Sequence, residues 1–168
     1  MNIETKKDME LYSKHPLIRF SISTNKFKLS DIIQYMNKIY ELNMSGNKNI
    51  RYTCLFEGVT KLNLSGTCIT DASALGKVYD LDLSYTALTN VSALGGVHTL
   101  NLSWTKTEDV SALGGVHTLN LSCTKVTDVS PLINVHTLNI SWCNISNTSV
   151  LKNVTVLYNK TNKRFWSI

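Results

Sequence analysis

Val97–Gly115 reads VHTLNLSWTKTEDVSALGG, and the next segment, Val116–Asn134, reads VHTLNLSCTKVTDVSPLIN. The preceding one, Val78–Gly96, reads VYDLDLSYTALTNVSALGG. Self-similarity at a fixed short period is the signature of a chain that stacks one supersecondary unit on the next. We number the unit from its Val. Positions 1, 4, 6, 11, 14 and 17 are then apolar in most copies, as Val116, Leu119, Leu121, Val126, Val129 and Leu132 in one of them. The alternation at positions 4 and 6 is a strand signal. Strands this short cannot stand alone. Stacked in parallel about 4.8 Å apart, they give one continuous core of inward leucines.

The register extends in both directions. Starts at Val59, Val78, Val97, Val116, Val135 and Val154 hold a 19-residue period. Ile39–Gly58 is a 20-residue unit with Leu42, Met44 and Asn47 in register. Leu17–Lys38 aligns as a divergent 22-residue unit, with Phe20 and Ile22 at positions 4 and 6 and Asn25 following. Ser30 is placed to cap a helix over Asp31–Asn37. The organisation expected is an N-terminal cap (1–16), two divergent longer repeats (17–58), five regular repeats (59–153) and a truncated C-terminal capping repeat (154–168). The cap is read as a short helix, Thr5–Ser13, anchored by Met9, Leu11 and Tyr12 and ended by Pro16. The last repeat closes on Phe165, Trp166 and Ile168.

The polar positions have local tasks. Position 9 is Thr or Asn (Asn47, Thr67, Thr86, Thr105, Thr124, Asn162), with Cys143 the exception. A small polar side chain there can satisfy backbone groups where the chain leaves the strand, since a buried unpaired group costs about 1–3 kcal/mol. Asp71, Asp109 and Asp128, with Asn90 in one copy, fit the cap of a single 3₁₀-like turn. Gly95–Gly96 and Gly114–Gly115 read as the tight return to the next strand.

Over residues 17–162 this pattern resembles the leucine-rich repeat, L-x-x-L-x-L-x-x-N/C-x-L. The tail Thr-Asp-Val-Ser-x-Leu is similar to the internalin-type variant, most closely at Val129-Ser130-Pro131-Leu132. Two departures stand out: Thr mostly replaces the ladder Asn, and the unit is shorter than the internalin unit. The wording VHTLNLS…VTDVSALGG also resembles leucine-rich-repeat proteins of giant DNA viruses of amoebae. The resemblance implies an α/β repeat solenoid, a right-handed arc with a parallel β-sheet on its concave face and turns and 3₁₀ segments on its convex face. It implies a non-enzymatic protein–protein interaction module, in a host cytoplasm if viral. A substrate adaptor of a ubiquitin ligase is the alternative, although residues 1–38 lack the helical Leu-Pro pattern of an F-box.

Charge and composition narrow the function classes. The net charge is +5, and the basic residues are scattered, with local pairs at Lys6–Lys7 and Lys163–Arg164. A dedicated nucleic-acid surface would cluster them. The N-terminal MNIETKKDMELYSKHP has no apolar signal core, and no apolar run reaches a membrane span. Cys54, Cys68, Cys123 and Cys143 lack metal-site or redox spacing, which suits free thiols in a reducing compartment. The expectation is a cytoplasmic monomer that binds a protein and neither specific nucleic acid nor membrane.

Candidate site residues come from comparing the copies with one another. Positions 3, 5, 7, 8 and 10 are expected on the concave face. Position 7 is uniformly Ser and position 5 is Asn or Asp, as shared structure requires. Position 8 varies: Gly66, Tyr85, Trp104, Cys123, Trp142. Positions 10 and 3 vary too, with Lys106 and Lys125 at the first and Lys61 and Asp80 at the second. Aromatic residues are the usual interface anchors. The candidate binding patch is therefore Tyr85, Trp104 and Trp142, flanked by Lys106 and Lys125, with Lys61 and Asp80. Against it stands packing of the same rings along the face with no partner. His98, His117 and His136 fall at position 2 of successive strands and should stack about 4.8 Å apart. They admit a metal site, a pH switch or plain sequence duplication. No Cys or carboxylate completes a ligand set, so neither metal nor cofactor is expected. His117 and Cys123 lie at opposite ends of one strand, roughly 20 Å apart at 3.3 Å per residue. A cysteine-dependent effector enzyme therefore lacks its nucleophile–base pair, and no catalytic residue is assigned.

Overall fold

Leu at position 4 is flanked by polar residues at 3 and 5, and this triplet forms the strand in every regular unit. The computed structural model describes residues 5–14, 20–22 and 28–160. Its strands are β1 (Phe20–Ile22), β2 (Ile39–Asn43), β3 (Lys61–Asn63), β4 (Asp80–Asp82), β5 (Thr99–Asn101), β6 (Thr118–Asn120), β7 (Thr137–Asn139) and β8 (Val156–Tyr158). They form one 8-stranded parallel sheet in sequence order. Leu81, Leu100, Leu119 and Leu138 are register partners on successive strands. All four are buried, while positions 3 and 5 beside them are half-buried. The solenoid arc is the one the repeat implies.

Opposite the sheet, Ser92–Gly96, Ser111–Gly115 and Ser130–Leu132 are 3₁₀ turns that drive Leu94, Leu113 and Leu132 into the core. The side chains of Asn90, Asp109 and Asp128 accept the N–H of Ser92, Ser111 and Ser130 at 3.0, 2.8 and 2.8 Å. Each cap acts at the residue that opens the turn. The same bonds hold the Asp109 and Asp128 carboxyls below the usual carboxylate range. The glycines serve another purpose than the one read from sequence. Gly95 and Gly114 are not in the left-handed region. A Cβ at Gly95 would lie 2.3 Å from the carbonyl oxygen of Ala112, and one at Gly114 2.6 Å from that of Pro131. Close stacking of the convex turns, not chain reversal, demands glycine.

The N-terminal helix α1 (Lys6–Ser13) starts at a reciprocal cap. The Asp8 N–H donates to Thr5 Oγ1 (3.2 Å), and Asp8 Oδ2 accepts the Thr5 N–H (2.9 Å). Met9 is its buried anchor and Leu11 is exposed. Lys6 reaches Asp31 at 2.8 Å. Helix α2 (Leu29–Ile32) continues as a 3₁₀ helix over Ile33–Lys38. Ser30 lies inside α2, and it is Asp31 that caps by accepting the Lys28 N–H at 3.1 Å. The first repeat is also two residues out of the expected register. Ile22 pairs with Leu42 at position 4, and the pairing is irregular between Phe20 and Ser21. Ile22 is fully buried, and the bulge lets it reach the leucine ladder. Pro16, Leu17, Asn25, Asn162, Lys163, Arg164, Phe165, Trp166 and Ile168, and the side chains of Tyr12 and Phe20, lie outside what the structure describes.

Candidate functional site

Position 8 changes from copy to copy, and its backbone is unusual. Tyr85, Trp104, Cys123 and Trp142 have φ of 57°, 59°, 58° and 66°. The same position in the two preceding repeats is Gly46 and Gly66, at 71° and 63°. For a bulky L-residue the left-handed region is a strained outlier. Three bonds impose it. The position-5 side chain accepts the position-7 N–H, as Asn101 does from Ser103 at 3.1 Å. The position-8 N–H donates to the position-7 carbonyl of the next repeat, Trp104 to Ser122 at 3.0 Å. The position-9 hydroxyl donates to the position-6 carbonyl, Thr105 to Leu102 at 2.7 Å. Such strain persists only where the surroundings over-determine it.

The conformation throws the side chain outward beyond the strand end. Tyr85 is 61% exposed, Trp104 56% and Trp142 37%. Tyr85 and Trp104 stack with ring centroids 5.6 Å apart and planes 10° from parallel. Trp142 stands two repeats beyond Trp104, with Cys123 between them. Lys106 and Lys125 flank this row two residues further on, and both are exposed. Lys125 pairs with Glu108 at 3.4 Å, but with the side chains 64% and 67% exposed the pair contributes little.

Ser84, Ser103 and Ser141 at position 7 are buried, so that position leaves the recognition surface. Lys61 and Asp80 are register partners on β3 and β4, in a polar depression they share with Glu41 and Asp82. Sequence comparison found the variable position without seeing its backbone. Gly46 and Gly66 at the same site were the available signal for φ above zero.

Position 2 forms a second row. Tyr79, His98, His117 and His136 stack at centroid distances of 4.5, 4.7 and 4.6 Å. Tyr79 was missed as the first ring, though it shares the position. Nδ1 of His98 and His117 lies 3.3 Å from Oγ1 of Thr99 and Thr118. Face-to-face rings direct their nitrogen lone pairs side by side rather than toward one point. Among the described residues no three His, Cys, Asp or Glu groups are placed to hold a metal. Desolvation, then the neighbouring His136 and His98, push the His117 pKa below its ordinary value. The folded state thus binds fewer protons than the unfolded one below about pH 6.5. Stability conferred by neutral His117 is complete above that pH and is lost as pH falls through the depressed pKa. The melting temperature should drop between pH 7.5 and 5.5, and His117→Gln should flatten that slope. An unchanged slope in the variant would refute the assignment.

Cys143 is buried and donates to the Leu121 carbonyl at 3.0 Å. Burial, then Cys143, push the Cys123 thiol up. That is opposite to what a nucleophile needs.

Known proteins match this architecture. The family model for the leucine-rich repeat matches residues 59–75 and 132–152. Internalin C2 of Listeria monocytogenes superposes with a TM-score of 0.64 at 23% identity, over 86% of this chain and 69% of that one. The fold is that of the leucine-rich repeat. A leucine-rich-repeat protein of Leptospira interrogans gives 0.64 at 17% identity, over 92% of this chain and 51% of that one. The functional domain of InlJ from Listeria monocytogenes, which includes a cysteine ladder, gives 0.60 at 17%, over 85% and 38%. The repeat array thus spans about half or less of two of these three structures. No curated protein matches the sequence significantly. No helix among the described residues is long and apolar enough to cross a membrane.

Proposed function

We propose that this protein is a non-enzymatic leucine-rich-repeat scaffold that binds a protein partner along the strand-end ridge of Tyr85, Trp104 and Trp142. One observation carries the reading. Exposed aromatics occupy a left-handed position that the sister repeats fill with glycine, at a cost of about 1–2 kcal/mol each. The Tyr85–Trp104 stack offsets only part of that cost, at about 0.5–1.5 kcal/mol. Recognition gains, because aromatic side chains are the commonest binding hot spots. The raised thiol pKa of Cys123 supports the non-enzymatic part of the reading.

The test replaces Trp104 and Trp142 together by Gly, the residue their backbone favours. Relief of strain offsets the entropy that glycine adds to the unfolded chain, so the melting temperature should move little. Binding should weaken at least about 30-fold, the loss of one strong hot spot at ~2 kcal/mol. The wording of the repeats, which resembles proteins of amoebal giant viruses, makes an amoebal cytosolic lysate the first source for the partner. A folded double variant that retains every captured partner would sink the reading.

A further inference from the structure

The aromatic row at position 8 has a gap. Tyr85 and Trp104 stack across one repeat step at 5.6 Å, and Trp142 stands two steps from Trp104. At the step between them the ladder holds Cys123, whose side chain is half-buried. Its backbone is the same as that of its neighbours, with φ of 58°. Among the described residues no ring stacks on Trp104 from the Cys123 side. A planar ring seated over Cys123 would lie about 5–6 Å from each indole, inside the range of about 4.5–7 Å where aromatic pairs attract. The Cys123 sulfur beneath offers a soft, polarisable floor.

The charges beside the gap select what accompanies that ring. Lys106 follows Trp104 by two residues, and Lys125 follows Cys123 by two. Lys160 donates its backbone N–H to Ser141 and accepts that of Trp142, and its side chain is exposed. Glu108 faces Lys125 at 3.4 Å and offsets one of these three cations. We infer that the slot between Trp104 and Trp142 admits one aromatic side chain of a protein partner, flanked in that partner by carboxylates. The inference rests on the proposed ridge and narrows it to a single insertion point. A strand of stacked bases fits less well, because the slot takes one ring and a strand presents several in succession.

Acetylated, amidated Glu-Trp-Glu is the probe, with Glu-Leu-Glu and Lys-Trp-Lys as comparisons. The indole N–H signals of Trp104 and Trp142 are followed by nuclear magnetic resonance on the full chain. Glu-Trp-Glu should shift both signals with one dissociation constant, at least tenfold tighter than either comparison. Cys123→Trp fills the gap in a backbone that already carries Trp at both neighbouring aromatic positions, and it should abolish the shift. Movement of one indole alone would overturn the slot, as would binding unchanged in Cys123→Trp. A short oligothymidylate binding as tightly as Glu-Trp-Glu would overturn the choice of a protein occupant. Should Cys123→Trp not fold, the peptide comparison on the unaltered chain decides alone. Partners lost with Trp104→Gly/Trp142→Gly but kept with Cys123→Trp would leave the ridge standing and remove the slot. Partners kept by the double variant would remove the ridge itself.

Discussion

Gly95→Ala will destabilise the protein by about 3 kcal/mol, at the upper end of what overpacking a tight site costs. The added Cβ meets the carbonyl oxygen of Ala112 at 2.3 Å, and its neighbour is backbone that cannot rotate away. Relief requires the Ser92–Gly96 and Ser111–Gly115 turns to separate, which would pull Leu94 and Leu113 apart in the core. Gly76 repeats the geometry, with its virtual Cβ 2.2 Å from the carbonyl oxygen of Ala93. Gly46 is the control. It sits at φ 71° with open space around its virtual Cβ. Gly46→Ala should therefore cost only the left-handed penalty, about 1–2 kcal/mol. Urea titration reads both, as a lowered midpoint at unchanged slope. Equal losses in the two variants would show that chain reversal, not close stacking, is what Gly95 provides. Ile133 is the exception. It follows the last buried 3₁₀ leucine, Leu132, at the position Gly95 and Gly114 hold, and it is 40% exposed. The segment that should stack on it, Thr148–Asn153, forms no 3₁₀ helix. The Leu151 N–H still donates to the Thr148 carbonyl at 3.0 Å, so the turn is present without the 3₁₀ helix, and Ile133 is accommodated as an exposed side chain.

The scaffold was legible because its information is periodic. Leu100, Leu119 and Leu138 recur at one spacing, and a period that short admits only stacked units. The Thr hydroxyls at position 9 were readable for a similar reason: chemistry that must be repeated shows itself as repetition. Where the chain is not periodic, reading failed. Ile22 sits two residues from its expected register because a bulge, invisible in the sequence, sets its pairing. Ser30 has the composition of a cap, yet Asp31 next to it reaches the free N–H of Lys28. The site was half legible. Variation among copies singled out Tyr85, Trp104 and Trp142, because shared structure does not hold position 8 to one residue type. It could not show that Ser103 turns inward while Trp104 turns out. That depends on a left-handed residue, which the sequence marks only by glycine in the sister repeats.

Leu119→Ala should cost about 3–4 kcal/mol, within the 2–5 kcal/mol typical of a leucine truncated in a packed core. Leu119 is 1% exposed and lies on β6, between Leu100 and Leu138 in the ladder. Truncation leaves a void with stacked leucines above and below, and parallel backbone ladders on both sides hold it open. Leu157 occupies the same position on β8, paired with Leu138, but is 39% exposed. Leu157→Ala removes the same atoms from a site already in contact with water, and should cost less than about 1 kcal/mol. The ratio is a test of the architecture itself. In a solenoid each unit contacts only its neighbours, so an interior substitution weakens two interfaces and a peripheral one weakens a single interface. A globular core shared among distant repeats would make the two losses similar. Calorimetry on the paired variants distinguishes the cases. Trp104 gives the measurement its functional use. Its left-handed backbone is held by the Trp104–Ser122 bond to the next repeat, whose strand carries Leu119. Leu119→Ala should therefore loosen the Tyr85–Trp104 ridge before the sheet unfolds, and exposure of the Trp104 indole should rise at denaturant concentrations below the main transition.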